Sequence, residues 1–318
     1  MTDILDVHEL HKSFRRGRRV VAANQGLSLL VGQGQVVGVL GHNGAGKTTL
    51  ANQIVGLLRP DSGSIRLAGV DAVARPDLAR RLTSVQAQAN VPITGLTPLR
   101  AIELVGRIRG GTPAQVQERA HVLIDALELG PWADVPAEKV SGGVARLTAY
   151  AMCAVVPGKL VILDEPTNDV DPVRRRLLWE QIRELAASGS AVLLVTHNVR
   201  EAEGVVDRLV ILDHGRVIAE GTPSELVNRH NSGFRLEIDT APGTRTRWPE
   251  GLTVTHRDAV RSFISVPAHE AERAVGWAAA RLAEGSVRRY EFSPTSLEDV
   301  YVDMVSDDLA QDEQEQAA

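Results

Sequence analysis

One segment near the start of the chain constrains the fold more than any other. Five apolar residues, Val36–Leu40, are followed by Gly41-His-Asn-Gly-Ala-Gly-Lys-Thr-Thr49 and then by an apolar helical pattern. This is the G-x-x-x-x-G-K-[ST] pattern, in the strand–loop–helix order that it requires. Glycines let backbone N–H groups curl around a phosphate, and a helix that begins near Lys47 directs the positive end of its dipole at the same anion. The segment therefore predicts a buried strand, a phosphate-binding loop and a helix in succession.

The loop supplies most of the predicted nucleotide contacts. Lys47 is predicted to reach the β- and γ-phosphates, and the Thr48 hydroxyl is predicted to bind Mg²⁺. A glycine-rich turn with a solvent-exposed lysine is the alternative, and the agreement of strand, loop and helix argues against it. Alone, the loop does not distinguish kinases, GTPases and ATPases. The candidate nucleotide-binding residues here are Gly41, His42, Asn43, Gly44, Ala45, Gly46, Lys47, Thr48 and Thr49.

Composition excludes several classes of protein. The 318 residues are 43% hydrophobic and 24% charged, which is typical of a globular chain with one large and one smaller domain. The net charge is −5 and no basic stripe occurs, so we expect no nucleic-acid partner. The single cysteine, Cys153, excludes an intramolecular disulfide and fits a reducing compartment. The apolar runs fall short of the roughly 20 residues of a membrane span, so we expect any membrane action to require docking onto another chain.

Short apolar runs predict an α/β fold. They read as strands that are buried on both faces, which are typical of a parallel or mixed sheet covered by helices. These runs are Val36–Leu40, Leu160–Leu163, Val192–Thr196 and Leu209–Leu212. Between them, Thr97-Pro98 and Thr112-Pro113 each begin a predicted helix, ending near Arg109 and Leu129. We therefore expect an α/β nucleotide-binding domain over residues 1–228, with an inserted helical subdomain at about 97–157.

The remainder of the chain predicts a second, small α+β domain over residues 229–305. A polar stretch at 226–233 is predicted to be a linker. An amphipathic helix is predicted from about His269 to Ala283, and Thr295 with Glu298 predicts a capping box for a last helix. The predicted strands are Phe234–Ile238, Leu252–Thr255, Phe263–Val266 and Val287–Phe292. Residues 306–318, which are acidic and glutamine-rich, are predicted to be a disordered tail.

Two adjacent carboxylates follow another apolar strand, in Lys159-Leu-Val-Ile-Leu-Asp-Glu-Pro-Thr167. Asp164 is predicted to hold Mg²⁺, often through water, and Glu165 to act as the general base for the attacking water. Solvated acids at a strand end are the alternative reading. The phosphate-binding loop upstream argues against that alternative.

The order of the motifs identifies a family resemblance. Ser141-Gly142-Gly143 lies 23 residues before Asp164 and begins a helical run, and a Thr-His pair follows the next strand. A phosphate loop, Ser-Gly-Gly, an Asp-Glu-Pro-Thr strand and Thr-His in this sequence resemble the ABC ATPase domain. The resemblance implies that the Ser-Gly-Gly residues contact the γ-phosphate of ATP bound to a second subunit. A capping serine, two residues without side chains and the helix dipole suit an anion site.

The resemblance implies roles for four further residues. His197 occupies the position of the switch histidine that senses the γ-phosphate, and Asp171 that of the aspartate in the loop crossing the dimer. Gln88 corresponds to the metal-binding, coupling glutamine, with Gln86 as the alternative. Phe14 corresponds to the aromatic residue that stacks on adenine, worth roughly 1–3 kcal/mol in base-binding proteins. A core phenylalanine at a strand end is the alternative for Phe14.

The chain also departs from the family pattern. Val144 stands where the family usually has glutamine or another long side chain, and of the basic residues that commonly follow in this helix only Arg146 is present. Valine cannot donate a hydrogen bond, so we expect one polar contact to be lost and turnover to be slower than usual. Residues 293–301, Ser-Pro-Thr-Ser-Leu-Glu-Asp-Val-Tyr, are similar to the end of drug-resistance-type ABC exporter ATPases.

The resemblance implies an ATP-hydrolysing, Mg²⁺-dependent subunit of an ABC transporter that works as a homodimer or beside a second ABC ATPase. It implies export of a small, hydrophobic or drug-like molecule through a separate integral membrane permease, at the inner face of the cell membrane. A soluble ABC-type ATPase and an ATP-dependent switch with little turnover are the alternatives. A GTPase is disfavoured because the Asn-Lys-x-Asp motif for guanine is absent from the sequence.

Overall fold

The chain folds into two compact units, Met1–Thr222 and Pro223–Ala318. The computed structural model describes residues 2–17, 19–89, 93–230, 233–241, 248–249, 252–258 and 260–304. The boundary between the two units follows Thr222, six residues before the predicted boundary at residue 228. It lies there because the helix that begins at Pro223 belongs to the second unit. The predicted tail at 306–318 lies outside the described residues. Within the described part of the chain, no helix combines the length and apolar character that a membrane crossing requires.

The first unit contains two sheets. Its strands are β1 (Asp3–Arg16), β2 (Arg19–Gly32), β3 (Val36–Leu40), β4 (Ser62–Leu67), β5 (Val70–Asp71), β6 (Thr83–Gln86), β7 (Leu160–Asp164), β8 (Ala191–Thr196), β9 (Arg208–Asp213) and β10 (Arg216–Gly221). The central sheet has the order β10-β9-β3-β8-β7-β6 and is parallel except for the β9–β10 hairpin. The strands β3, β7 and β8 are buried along their whole length, as their apolar sequences predict.

The register of the central sheet brings three strand ends together. Leu40 of β3 pairs with Thr196 of β8, and Asp164 of β7 pairs with Val195 of β8. The residues that follow these strands therefore lie at one edge of the sheet. In open α/β sheets, ligands bind at the carboxyl ends of the strands.

The second sheet of this unit, ordered β2-β1-β4-β5, is antiparallel. It shares a continuous apolar core with the central sheet, in which Leu10 and Leu27 belong to the same buried cluster as Val39 and Leu193. Ile54, from the helix after β3, belongs to the cluster too. This shared core fixes β2 beside the start of that helix.

Helices surround the central sheet. They are α1 (Lys47–Ile54), α2 (Pro76–Leu82), α3 (Pro98–Ile108), α4 (Pro113–Ala126), α5 (Gly142–Ala154), α6 (Pro172–Ala187) and α7 (Val199–Glu203). The helices α3, α4 and α5 follow one another between β6 and β7 and pack together. Thr97 and Thr112 cap α3 and α4 as predicted, and Gln115 completes a capping box with Thr112. The helix α4 ends at Ala126, before the predicted Leu129, because Glu128 adopts a left-handed backbone with φ of 51°.

The second unit is a four-stranded antiparallel sheet with helices. Its elements are α8 (Pro223–His230), β11 (Phe234–Thr240), β12 (Thr253–Arg257), β13 (Arg261–Val266), α9 (Ala271–Ala283), β14 (Val287–Pro294) and a last helix, α10, at residues 297–304. The sheet order is β12-β13-β11-β14. Its core packs Ala274 and Ala278 of α9 against Leu236, Ile264 and Val287 of the sheet.

Two predictions for this unit are wrong in detail. The predicted linker at 226–233 is largely helical, since α8 extends to His230. The capping box of the last helix lies one residue later than predicted. Ser296 and Asp299 form it: the Ser296 N–H donates to Oδ2 of Asp299 at 2.9 Å, and the Asp299 N–H donates to Oγ of Ser296 at 3.3 Å. Thr295 is excluded because its N–H donates to the carbonyl oxygen of Gly233.

Candidate active site

The loop between β3 and α1 is packed so closely that two of its positions require glycine. At Gly46, φ is 102° and an added Cβ would lie 2.2 Å from the carbonyl oxygen of Ala23. At Gly41, an added Cβ would lie 2.5 Å from the backbone of β9. The N–H of Gly215, in the β9–β10 turn, donates to the carbonyl oxygen of Ala45 at 3.1 Å. The loop is thus a fixed scaffold at the N-terminus of α1, where backbone N–H groups favour an anion.

Lys47 lies inside this loop, with only 8% of its surface exposed. Its Nζ donates to the carbonyl oxygens of Gly41 at 2.5 Å and His42 at 3.0 Å. Burial lowers the pKa of Lys47, although the nearby carboxylates of Glu165 and Asp164 act in the opposite direction. The ammonium group is therefore held at the loop and desolvated, which strengthens its attraction for a phosphate oxygen.

The two adjacent acids after β7 are separated by a change in backbone conformation. Asp164 ends the strand, and Glu165 adopts a left-handed φ of 51°. The alternation of side chains along β7 therefore stops before Glu165. Burial, and secondarily the charge of Glu165, raises the pKa of Asp164 despite the nearby Lys47 and Arg146. An unusual φ at a non-glycine residue is frequent at functional sites.

Glu165 and His197 are in direct contact. Oε1 of Glu165 lies 2.5 Å from Nδ1 of His197 and accepts the His197 backbone N–H at 2.9 Å. Oε2 accepts the hydroxyl of Thr196 at 2.9 Å. The Glu165 carboxylate is buried, whereas 57% of the His197 side chain is exposed. This arrangement orients a carboxylate and presents an imidazole toward the open side of the site.

The structure distinguishes between the two candidate glutamines. Gln86 is 1% exposed, and its Nε2 donates to the carbonyl oxygen of Arg146 at 3.1 Å. Gln88 is exposed and lines a cavity of ≈ 550 Å³ together with Thr48 and Asp164. Gln86 therefore has a packing role, and Gln88 lies beside the other two candidate metal ligands.

These three side chains fit a magnesium ion. A hydroxyl, an amide oxygen and a carboxylate border one cavity, and hard cations such as Mg²⁺ prefer oxygen ligands. Asp164 would supply the negative charge, and Thr48 and Gln88 would supply neutral oxygens. When bound, the ion would neutralise charge on the phosphates.

Arg146 connects backbone segments on both sides of the site, a role that the sequence did not reveal. It is 2% exposed, and its guanidinium donates to backbone carbonyls on both sides of the site. The acceptors are Ala87 at 2.9 Å, Gln88 at 2.8 Å, Asp164 at 3.3 Å and Glu165 at 2.8 Å. Burial lowers the pKa of Arg146, with nearby Asp164, Asp169 and Glu165 opposing. The only sequence signal is a lone cation in the apolar run of α5.

The Ser-Gly-Gly segment forms the exposed tip of α5. Oγ of Ser141 accepts the N–H of Val144 at 3.3 Å, which is an N-cap. Gly143 touches the loop before α6, where an added Cβ would lie 2.5 Å from the carbonyl oxygen of Asp169. Val144, which stands where the family usually has glutamine or another long side chain, is 3% exposed and packs in the interior.

Two other candidates lie on the surface. Asp171 caps α6: its carboxylate accepts hydrogen bonds from the N–H groups of Val173 and Arg174 at 3.1 Å each. These hydrogen bonds lower the pKa of Asp171, and the bond from the Arg174 N–H has the largest effect. Phe14 is 41% exposed, which excludes a fully buried core role, and Nζ of Lys12 lies 5.7 Å from its ring centroid. The described hydrogen bonds and ion pairs do not link Phe14, Asp171 or Ser141 to the group around Lys47 and Glu165.

A phosphate-binding loop, two acids after the neighbouring strand and a histidine after the next one define a P-loop nucleotide hydrolase. The comparisons with known proteins narrow this class. A family model described as "ABC transporter" matches residues 24–168. The chain is 38% identical to the daunorubicin/doxorubicin resistance ATP-binding protein DrrA of Streptomyces peucetius, over 88% of this chain and 87% of that one. This chain therefore belongs to the ABC transporter family, as one of its ATP-binding ATPases.

Another relative and two solved structures agree with this family assignment. The Nod factor export ATP-binding protein I of Cupriavidus metallidurans is 33% identical over 97% of this chain and 99% of its own length. A solved ATP-binding subunit of an ABC transporter, 27% identical, superposes with a TM-score of 0.65 over 71% of this chain and 92% of that chain. A dimeric ATP-binding cassette bound to ADP and phosphate, 22% identical, shares the fold with a TM-score of 0.63 over 69% of this chain and 98% of its own.

Proposed function

We propose that this chain drives export of a small hydrophobic or drug-like molecule through a separate membrane permease, by hydrolysing ATP as a dimer. The dimer is formed by two copies or by one copy with a second ABC ATPase. The observation that carries the ATP-hydrolysing part of the proposal is the contact between Glu165 and His197 at the same sheet edge as the loop of Lys47. That edge holds Glu165 as the proposed general base, His197 as the residue that orients it, and the Lys47 ammonium group as the group that binds the phosphates.

Each candidate has a role in binding Mg·ATP. The loop N–H groups and Lys47 would hold the phosphates, and Thr48, Asp164 and Gln88, which line one cavity, would hold Mg²⁺. Phe14 offers an exposed aromatic face to the adenine. The buried apolar contacts behind the loop keep these groups in place before the nucleotide arrives.

Hydrolysis requires a base for the attacking water. The Glu165 carboxylate accepts a proton from the water as its oxygen adds to the γ-phosphorus, and the bond to the ADP oxygen breaks. Thr196 and the His197 backbone hold the carboxylate in place, since both donate to it in the resting arrangement. The His197 ring contacts Glu165 through Nδ1 and is otherwise largely exposed, so that its Nε2 can contact the γ-phosphate.

Dimerisation follows from the distribution of the motifs. The chain has one phosphate-binding loop and one Ser-Gly-Gly tip, and the tip is exposed. An exposed helix N-terminus with a capping serine favours the γ-phosphate of a nucleotide held by the partner. ATP would then be part of the interface, so hydrolysis would release it.

The permease is proposed to dock near Gln88. The cavity that Gln88 lines is bordered by Leu57 and Val85, which are 70% and 41% exposed. Exposed apolar residues around a cavity are typical of a site that a partner covers. The proposed direction of transport rests on two relatives, one named for daunorubicin/doxorubicin resistance and one for Nod factor export. Docking would place the chain at the inner face of the membrane.

The central test replaces Glu165 by glutamine. We expect Glu165→Gln to lower steady-state phosphate release by about 100-fold or more while ATP still induces a dimer in light scattering. Glu180→Gln, an exposed position on α6, is the matched control and should keep the wild-type rate. Undiminished hydrolysis in Glu165→Gln would contradict the assigned base. A wild-type rate no higher than that of Glu165→Gln, with ATP-dependent dimerisation intact, would instead favour an ATP-dependent switch.

Docking is tested separately. Leu57→Glu should abolish co-purification with a co-expressed candidate permease, while the isolated chain hydrolyses ATP normally. Leu282→Glu, on α9 and 42% exposed, is the control for an added surface charge. Co-purification of Leu57→Glu at the wild-type level would exclude this surface.

A further inference from the structure

We propose that His42, Asp213 and His214 form a binding site for a divalent transition-metal ion of the zinc class. Each residue offers one ligand atom, and the three atoms lie within 4.8 Å of one another. The site is distinct from the proposed magnesium site, which consists of oxygen ligands around the Gln88 cavity. None of the roles assigned above uses the side chains of these three residues.

The backbone fixes the three residues beside each other. His42 follows β3 in the phosphate-binding loop, Asp213 ends β9, and His214 begins the two-residue turn to β10. The turn has positive φ at both central residues, 42° at His214 and 80° at Gly215, which is the type I′ pattern usually met by Asn-Gly or Asp-Gly. The hydrogen bond from Gly215 to Ala45 holds this turn on the loop.

The hydrogen-bond geometry at His42 calls for a cation. Nδ1 of His42 lies 2.8 Å from the carbonyl oxygen of Asn43, which can only accept, so Nδ1 carries a proton. Nε2 then faces Oδ1 of Asp213 at 2.8 Å. Asp213 is 1% exposed, and neither of its carboxylate oxygens has a hydrogen-bond donor of acceptable geometry among the described residues. A buried carboxylate facing an imidazole nitrogen needs a positive charge between them, either a proton or a metal ion.

The third residue favours a metal over a proton. Nδ1 of His214 lies 3.6 Å from the other Asp213 oxygen, Oδ2. A tetrahedral zinc ion with bonds of about 2.0–2.1 Å separates its ligand atoms by about 3.3 Å, a value between the two observed distances. Two imidazoles and one carboxylate suit zinc-class ions and not Mg²⁺. The bond from His42 Nδ1 to a backbone carbonyl is the outer contact that metal-binding histidines usually make.

Ions can reach the site from solvent. The side chains of His42 and His214 are 37% and 45% exposed, whereas Asp213 forms the buried floor. A water molecule would complete the coordination. A bound ion would join the β9–β10 turn to the phosphate-binding loop through side chains, in addition to the backbone bond from Gly215.

The test measures metal binding directly. Tag-free, full-length protein is stripped with a chelator and titrated with Co²⁺ and Zn²⁺ in excess Mg²⁺ without nucleotide, with a chromophoric chelator as competitor for Zn²⁺. We expect one ion per chain and the visible absorption of tetrahedral Co²⁺. His214→Asn, which suits the turn, should weaken binding by at least about 10-fold, since loss even of an outer partner of a metal ligand costs about 10–100-fold. His121→Asn, at an exposed position on α4, is the matched control and should bind as the wild type does.

Two results would overturn the proposal. One is the lack of stoichiometric binding by the wild type at micromolar metal, which would assign the charge between His42 and Asp213 to a proton. The other is equal affinity in the wild type and His214→Asn, which would place the ion elsewhere. Thermal unfolding gives an independent readout, since an ion that binds the folded state raises the Tm of the wild type and of His121→Asn more than that of His214→Asn.

Discussion

The carboxylate of Glu165 touches His197 twice, at the imidazole Nδ1 and at the backbone N–H. The backbone bond depends on the position of the chain after β8, whereas the imidazole contact depends on the side chain alone. The two contributions can therefore be separated by mutation. If the ring is removed, we expect Glu165, the proposed base, to keep part of its orientation through the backbone bond. The proposed response of His197 to the γ-phosphate should be lost.

His197→Ala should lower the rate of ATP hydrolysis by about 100-fold and leave ATP affinity within about threefold. The loop and Lys47, which are the proposed phosphate-binding groups, are not altered by this substitution. Steady-state phosphate release and binding of a fluorescent ATP analogue measure the two quantities. His269→Ala, 81% exposed in the second unit, is the control. A normal rate in His197→Ala would show that the ring has no part in hydrolysis.

Replacement of Arg146 should damage both stability and activity. Arg146→Met leaves four backbone carbonyls without their donor, and a buried unsatisfied group costs about 1–3 kcal/mol. Some carbonyls will find water, so we expect a loss of about 3 kcal/mol and a Tm lower by about 6–12 °C. Arg107→Met, at an exposed position on α3, should change the Tm by less than about 2 °C. Equal melting of the two variants would refute the structural role of Arg146.

A pair of glycine substitutions tests the packing of the loop. Gly46→Ala places a Cβ 2.2 Å from a backbone oxygen at a φ of 102°, so the loop must move and ATP affinity should fall by about 100-fold or more. Gly276→Ala introduces the same methyl group in α9, where it meets no atom within 4 Å, and should stabilise the protein by about 0.5–1 kcal/mol. Calorimetric titration with ATP and thermal unfolding measure these effects. Unchanged ATP affinity in Gly46→Ala would mean that the loop tolerates the displacement.

Asp164 should destabilise the protein in the absence of nucleotide. Its folded pKa is raised above the ordinary 3.8 by burial and by Glu165, so the folded state holds this proton more tightly than the unfolded state does. The contribution of Asp164 to stability is therefore greatest below pH 3.8 and is lost as pH rises through the raised folded pKa. Asp164→Asn should accordingly raise the Tm at pH 7 while removing the additional stabilisation that Mg·ATP gives the wild type. A lower Tm for the nucleotide-free variant would contradict this reading.

Much of the site follows from local sequence. The strand β3, the loop and α1 were predictable because hydrophobic pattern, glycines and lysine agree over residues 36–54. The caps Thr97, Thr112 and Ser141 were predictable because each precedes its helix directly. These features depend on neighbours within a few residues.

Other features depend on distant contacts and could not be predicted. The acceptors of Arg146 lie 18–59 residues away along the chain, so only the folded structure brings them together. Ser296 caps the last helix in place of Thr295 because the latter bonds to Gly233, which is 62 residues earlier. The left-handed backbone of Glu165 is fixed by its N–H bond to Val195 on the neighbouring strand.

The guanidinium of Arg146 links the backbone beside Gln88 to the backbone of Glu165. A displacement of the Gln88 segment would strain the hydrogen bonds of Arg146 that hold the backbone of Glu165, the proposed general base. We therefore expect the isolated chain to hydrolyse ATP more slowly than the chain bound to the proposed permease, since any displacement of the Gln88 segment would also displace Glu165.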